Sequence, residues 1–145
     1  MSQDILARPV GYDSTGKRNN CAIVAFSAFS GVDYLTCENL FWAGVQRKGA
    51  YSCRKRWSGM TYPSQPFEVA KELNIELVEV PTRRMALKTF IRKKAEPGVS
   101  YLICVTGHMM VLRDGIILDQ NGSRYASVTI FHNRMIQRVW IKGDD

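Results

Sequence analysis

The dipeptide Asp114-Gly115 separates two β-rich runs, His108–Arg113 and Ile116–Leu118, and limits the fold more tightly than any other feature of the chain. A two-residue Asp-Gly loop favours positive φ and matches the twist of antiparallel strands, so the two runs read as a hairpin. Such a turn pairs Arg113 with Ile116; Met110 then faces Asp119, and His108 faces Asn121. Because side chains alternate along strands, His108, Asp119 and Asn121 project from one face. Either Asp119 or Asn121 can hold one ring nitrogen of the histidine and fix its tautomer and direction. A lone strand histidine is more often a core or edge residue. The polar partners on its own face are what point this one toward chemistry.

A thiol supplies the complementary signal. In NNCAIVAFSAFSG, apolar or small residues run from Ala22 to Phe29, Gly31 gives a stop, and Asn19 and Asn20 are candidate N-caps. Capping by Asn20 places Cys21 in the first helical turn, where unpaired N–H groups and the helix dipole favour a thiolate and could hold an oxyanion. Lys17 and Arg18 add positive charge nearby. The plain alternative for a free cysteine is a small buried hydrophobe. Cys37, in a helical pattern, and Cys104, in SYLICV, fit that alternative. Cys53, in AYSCRKRW, has basic neighbours and is the second candidate nucleophile. No Cys-x-x-Cys pair and no histidine at ligand spacing occurs, so no metal site is expected. His132, in FHNR, falls in a turn with no thiol logic attached.

The two segments together resemble a known family. NNCAIVAFSAFSGVDY is similar to the nucleophile segment of small papain-like cysteine peptidases of bacteriophages and bacteria, in which a short polar lead-in precedes an Ala-rich helix. GHMMVLRDGIILD is similar to their G-H-x-x-x-V-x-D-G-x-x-x-D segment. The resemblance spans roughly residues 15 to 121. It implies a papain-like fold with no cofactor, Cys21 as nucleophile, His108 as general base and acid, and Asp119 as the orienting residue with Asn121 as its alternative. Asn19, or the Cys21 backbone N–H, would occupy the oxyanion position, and Asn20, Trp57 and Tyr62 would border the substrate groove. The chain departs from the pattern in having no Gln just ahead of Cys21.

The remaining chain reads as one α+β domain over residues 1–145, with helices first and an antiparallel sheet after them. Residues 1–14 read as an extended arm. A second helix is expected over Tyr34–Gln46, capped by Asp33, with Leu35, Leu40, Phe41, Ala43 and Val45 inward. Pro66 opens a short helix to Leu73, and Ile75–Val80 is a strand. Thr82 is expected to cap a helix running to Lys94, with Met85, Leu87, Phe90 and Ile91 inward. Further strands are expected at Val99–Val105, Ser127–Phe131 and Arg134–Ile141, and residues 47–62 form a long loop.

The net charge of +7 is carried unevenly. Arg54, Lys55 and Arg56 lie between Tyr51 and Trp57, and Arg83, Arg84, Lys88, Arg92, Lys93 and Lys94 form a second basic segment. Basic residues with aromatics can track phosphates and stack bases, or steer an acidic protein. Two functions follow. One is a phage-encoded thiol hydrolase acting on a protein or peptide, possible host proteins included. The other is an inert basic protein on the same scaffold that binds a host protein or nucleic acid. No apolar run is long enough for a membrane span and no signal-peptide core is seen, so the expected location is the cytoplasm, of the host if phage-encoded, or a virion. Phosphate-binding glycine loops and paired glycosidase carboxylates are absent.

Overall fold

The computed structural model describes residues 21–47, 65–105, 108–119, 122–128 and 131–143. The apolar run after Cys21 forms α1, Cys21–Ser30, in which Ala22 to Ser27 and Phe29 are all buried. A helix apolar on nearly every side has to be enclosed. Gly31 ends it at φ 83°, donating its N–H to the Ser27 carbonyl at 2.9 Å, a left-handed position that disfavours a Cβ. Asp33 then caps α2, Tyr34–Arg47, accepting the Thr36 N–H at 3.1 Å and the Thr36 hydroxyl at 2.8 Å.

The inward face of α2 is Tyr34, Cys37 and Phe41, and Leu35 is 55% exposed, against expectation. The aromatic pair decides the phase: Phe41 meets Phe26 of α1 edge-to-face at 5.7 Å, which a stripe through Leu35 would break. Leu40 and Ala43 are half-buried, and the Val45 side chain lies outside the described residues. Gln65 opens α3, Gln65–Glu72, and donates to the Phe41 carbonyl at 2.6 Å, tying α3 to α2.

Six strands follow or interleave: β1 (Leu77–Glu79), then, after α4 (Leu87–Lys93), β2 (Tyr101–Val105), β3 (His108–Arg113), β4 (Ile116–Asp119), β5 (Gly122–Tyr125) and β6 (Ile136–Lys142). They form one antiparallel sheet in the order β1-β6-β2-β3-β4-β5. Asp114 and Gly115 take φ 51° and 78°, and Arg113 pairs with Ile116 and Val111 with Leu118, the register the dipeptide predicts. Alternation then builds a core on each face. Leu102, Met109, Val111, Leu118 and Trp140 meet α1, α2 and α3, while Ile103, Met110, Leu112, Ile117 and Val139 meet Leu87 and Phe90 of α4. The chain is thus α+β, with four helices and a six-stranded antiparallel sheet among the described residues.

Two expectations fail locally. Thr82 does not cap α4, which starts only after an extended Ala86 without a side-chain cap. Arg83 and Arg84 are left-handed, at φ 35° and 47°, so no helix can run through them. Tertiary pairing satisfies the early N–H groups instead: Leu87 N–H donates to Arg134 O and Lys88 N–H to His132 O, both at 2.9 Å. The strand expected at Ser127–Phe131 is replaced by β5 at Gly122–Tyr125, followed by a 3-10 turn at Ala126–Val128. β5 pairs along the whole of β4, from Asp119–Gly122 to Ile116–Tyr125, taking the edge that β4 offers. β1 is also shorter than expected. The arm at 1–14 and most of the loop at 47–62 lie outside the described residues.

Candidate active site

His108 is the first residue of β3 and pairs with Val105, the last residue of β2. The Asp-Gly turn that sets the β3–β4 register brings the end of β4 back beside it. There His108 Nε2 lies 2.7 Å from Oδ2 of Asp119. The Asp119 side chain is fully buried and that of His108 is 6% exposed. A carboxylate taken out of water needs its lone pairs filled. Arg124 of β5 adds two more, with Nη1 donating to Oδ1 and Nη2 to Oδ2, both at 2.9 Å. The guanidinium is steadied by a further bond from Nη1 to the Gly122 carbonyl at 3.2 Å. Such a two-pronged bond fixes the plane of the carboxylate as well as its charge.

The imidazole is held on its flat side too. Phe131 stacks on it at 4.1 Å with an interplanar angle of 6°, and the Arg134 guanidinium lies 5.1 Å from the Phe131 ring centre. Cys21, half-buried at the start of α1, is near enough to His108 for its side chain to favour the protonated ring. Since Nε2 is engaged by Asp119, Nδ1 is the ring nitrogen left for a further partner. Burial, the largest single effect, works against the imidazolium, but the hydrogen bond to Asp119, the Cys21 side chain and the negative charges of Cys21 and Asp119 together outweigh it. The net effect pushes His108 up to about 9.

The sulfur has a second neighbour. Burial pushes the Cys104 thiol up to about 11, with negative charge at Cys21 adding to it and Arg138 opposing. Cys104 contacts Gln137 Oε1 at 3.4 Å, where the β2–β6 register shifts between Cys104 and Val105. This bulge adjoins the Val105–His108 pair, a common place for an irregularity that re-aims side chains. Burial likewise pushes Cys37 up to about 12, against hydrogen bonds from Ser27 and Ser30 and with the Asp33 charge raising it further. Cys21, Cys37 and Cys104 are all free thiols.

The structure therefore brings Cys21, His108 and Asp119 together, with Asp119 on the Nε2 ring nitrogen. Asn19, Asn20, Cys53, Trp57, Tyr62 and Asn121 lie outside the described residues, as do Arg54, Lys55 and Arg56. Arg83, Arg84, Arg92 and Lys93 are described and exposed. No cluster of three or more His, Cys, Asp or Glu capable of holding a metal occurs among the described residues, and no described helix is long and apolar enough to cross a membrane. Sequence reasoning missed Arg124 and Phe131. Arg124 gave no signal in the sequence; pairing of Asp119 with Gly122 puts it opposite Ile117, on the face of Asp119. No family model, no curated protein and no solved structure matches this chain.

Proposed function

We propose that the protein is a thiol hydrolase of papain-like design that cleaves amide bonds in polypeptides through an acyl-thioenzyme. The observation that carries this reading is the imidazole held by Asp119 on Nε2 at 2.7 Å, with the Cys21 side chain near enough to favour its protonated form. Nucleophile, base and orienting acid in that order are what acyl transfer to sulfur requires.

An imidazole that keeps its proton to about 9 starts the reaction as the acid of a thiolate–imidazolium pair. Cys21 Sγ bonds to the scissile carbonyl carbon, and the C=O electron pair moves onto oxygen. N–H groups of the first turn of α1 lack intrahelical acceptors and face that negative charge, with Asn19 as a further donor. Collapse breaks the C–N bond, and the leaving amine takes the proton of His108. The neutral ring then removes a proton from water, whose oxygen displaces Cys21 and releases a carboxylic acid. Asp119, locked by Arg124, keeps the ring aimed in both halves.

The test uses mild iodoacetamide near pH 6.5, read by mass spectrometry, with hydrolysis of fluorescent casein measured beside it. Cys21 is expected to be alkylated first and Cys37 and Cys104, held protonated by burial, last. Cys21→Ala is expected to cost at least about 10³-fold in turnover. Equal labelling of all thiols, with turnover unchanged in Cys21→Ala, would sink the reading.

A further inference from the structure

Residues 83–94 contain six cations, Arg83, Arg84, Lys88, Arg92, Lys93 and Lys94, and no acid. All six side chains are exposed. Among the described residues none of them enters an ion pair; the pairs formed are His108–Asp119, Arg124–Asp119 and Arg138–Glu79. Lys88 and Arg92 stand four apart on α4, a like-charge spacing that weakens a helix. Arg83 and Arg84 add the strain of two successive left-handed residues. A fold that keeps uncompensated repulsion and strain in one segment is suited to a partner that supplies the missing charge.

The segment is fastened to the catalytic end of the sheet. Ile136 N–H donates to Met85 O at 2.8 Å, Ala86 bridges Met135, and Leu87 and Lys88 donate to the carbonyls of Arg134 and His132. Phe131, at the head of the same turn, is the ring stacked on His108. The cations therefore sit at a fixed offset from the imidazole. Met135, 45% exposed, places an adaptable apolar side chain beside them.

We infer that this face is a substrate-docking surface for an acidic stretch of polypeptide, so that the enzyme selects polypeptides bearing Asp- and Glu-rich segments next to the bond it cleaves. The inference rests on the hydrolase reading, because a site that attacks amide carbonyls takes its second contact from the same polypeptide. Nucleic acid fits this face less well. Its one aromatic, Phe90, is fully buried, so residues 83–94 offer no platform on which a base could stack.

The experiment measures fluorescence anisotropy with the Cys21→Ala protein, so that binding is read without turnover. The probes are a fluorescein-labelled twelve-residue peptide of alternating Glu and Asp with one central Leu, its Gln/Asn counterpart, and twenty-nucleotide duplex DNA and single-stranded RNA. The acidic peptide is expected to bind at least about tenfold more tightly than the neutral one, and to weaken as salt rises. The triple variant R84E/K88E/R92E is expected to lose that preference while its Cys21, where present, keeps wild-type alkylation. In the active enzyme the same variant is expected to raise KM for a substrate carrying the acidic stretch and leave kcat unchanged. Equal binding of both peptides, tighter binding of either nucleic acid, or an acidic preference that survives the triple variant would each overturn the inference. Selective alkylation of Cys21 in the same preparations would then leave the hydrolase reading standing on its own.

Discussion

Asp119 carries more of the site than its single charge implies. It is the acceptor for both the imidazole and the Arg124 fork, and it is shut off from water. Asp119→Asn keeps the shape but removes the charge that offsets the burial of the His108 ring. Turnover is expected to fall by about 10³- to 10⁴-fold, as when an orienting acid is lost elsewhere. The alkaline limb of the pH–rate profile, set by the His108 proton, is expected to move down from about 9, because the largest of the effects raising it is gone. A limb that stays in place would show that the carboxylate does not govern the ring. That His108 and Asp119 share one face of the hairpin could be read from the turn spacing. Arg124 and Phe131 could not, because one is an ordinary surface cation in sequence and the other an ordinary core aromatic. Only the pairing of β5 with β4 gives the first its meaning, and only the turn before β6 gives the second.

At the scale of elements, legibility followed how local the governing interaction is. The β3–β4 hairpin was readable because one turn fixes it, and α1 because its burial and its glycine stop are both local. The start of α4 was not, since hydrogen bonds to the distant Arg134 and His132 carbonyls replace a Thr82 cap, and β5 was missed because Gly-Ser-Arg-Tyr has little strand propensity of its own before it pairs with β4. The hairpin gives a direct check. Gly115 sits at φ 78° with open space around its missing Cβ, so Gly115→Val meets backbone strain and no clash. A loss of about 1–2 kcal/mol in urea unfolding is expected, from the left-handed penalty of a branched residue. A neutral result would mean the turn is not what holds the register.

For the whole molecule, the raised pKa of His108 makes stability depend on pH. The folded state binds the imidazole proton more tightly than the unfolded chain does, so this contribution is complete below the ordinary histidine value of 6.5. It is lost as pH rises through about 9. Cys104 and Cys37, raised by burial to about 11 and about 12, extend the decline above their ordinary value of 9. The thermal midpoint is therefore expected to fall steadily from pH 6.5 upward, and His108→Gln to flatten the part below 9. A wild-type midpoint that is constant or climbs across that window would contradict the charged His108–Asp119 pair.

The sheet order has a consequence for how the protein comes into being. β6 is inserted between β1 and β2, and β1 has no other partner among the described residues. Translation delivers the sulfur early, the ring late, and the strand that joins the two halves of the sheet later still. Until residues 136–142 have left the ribosome, the growing chain cannot complete that sheet.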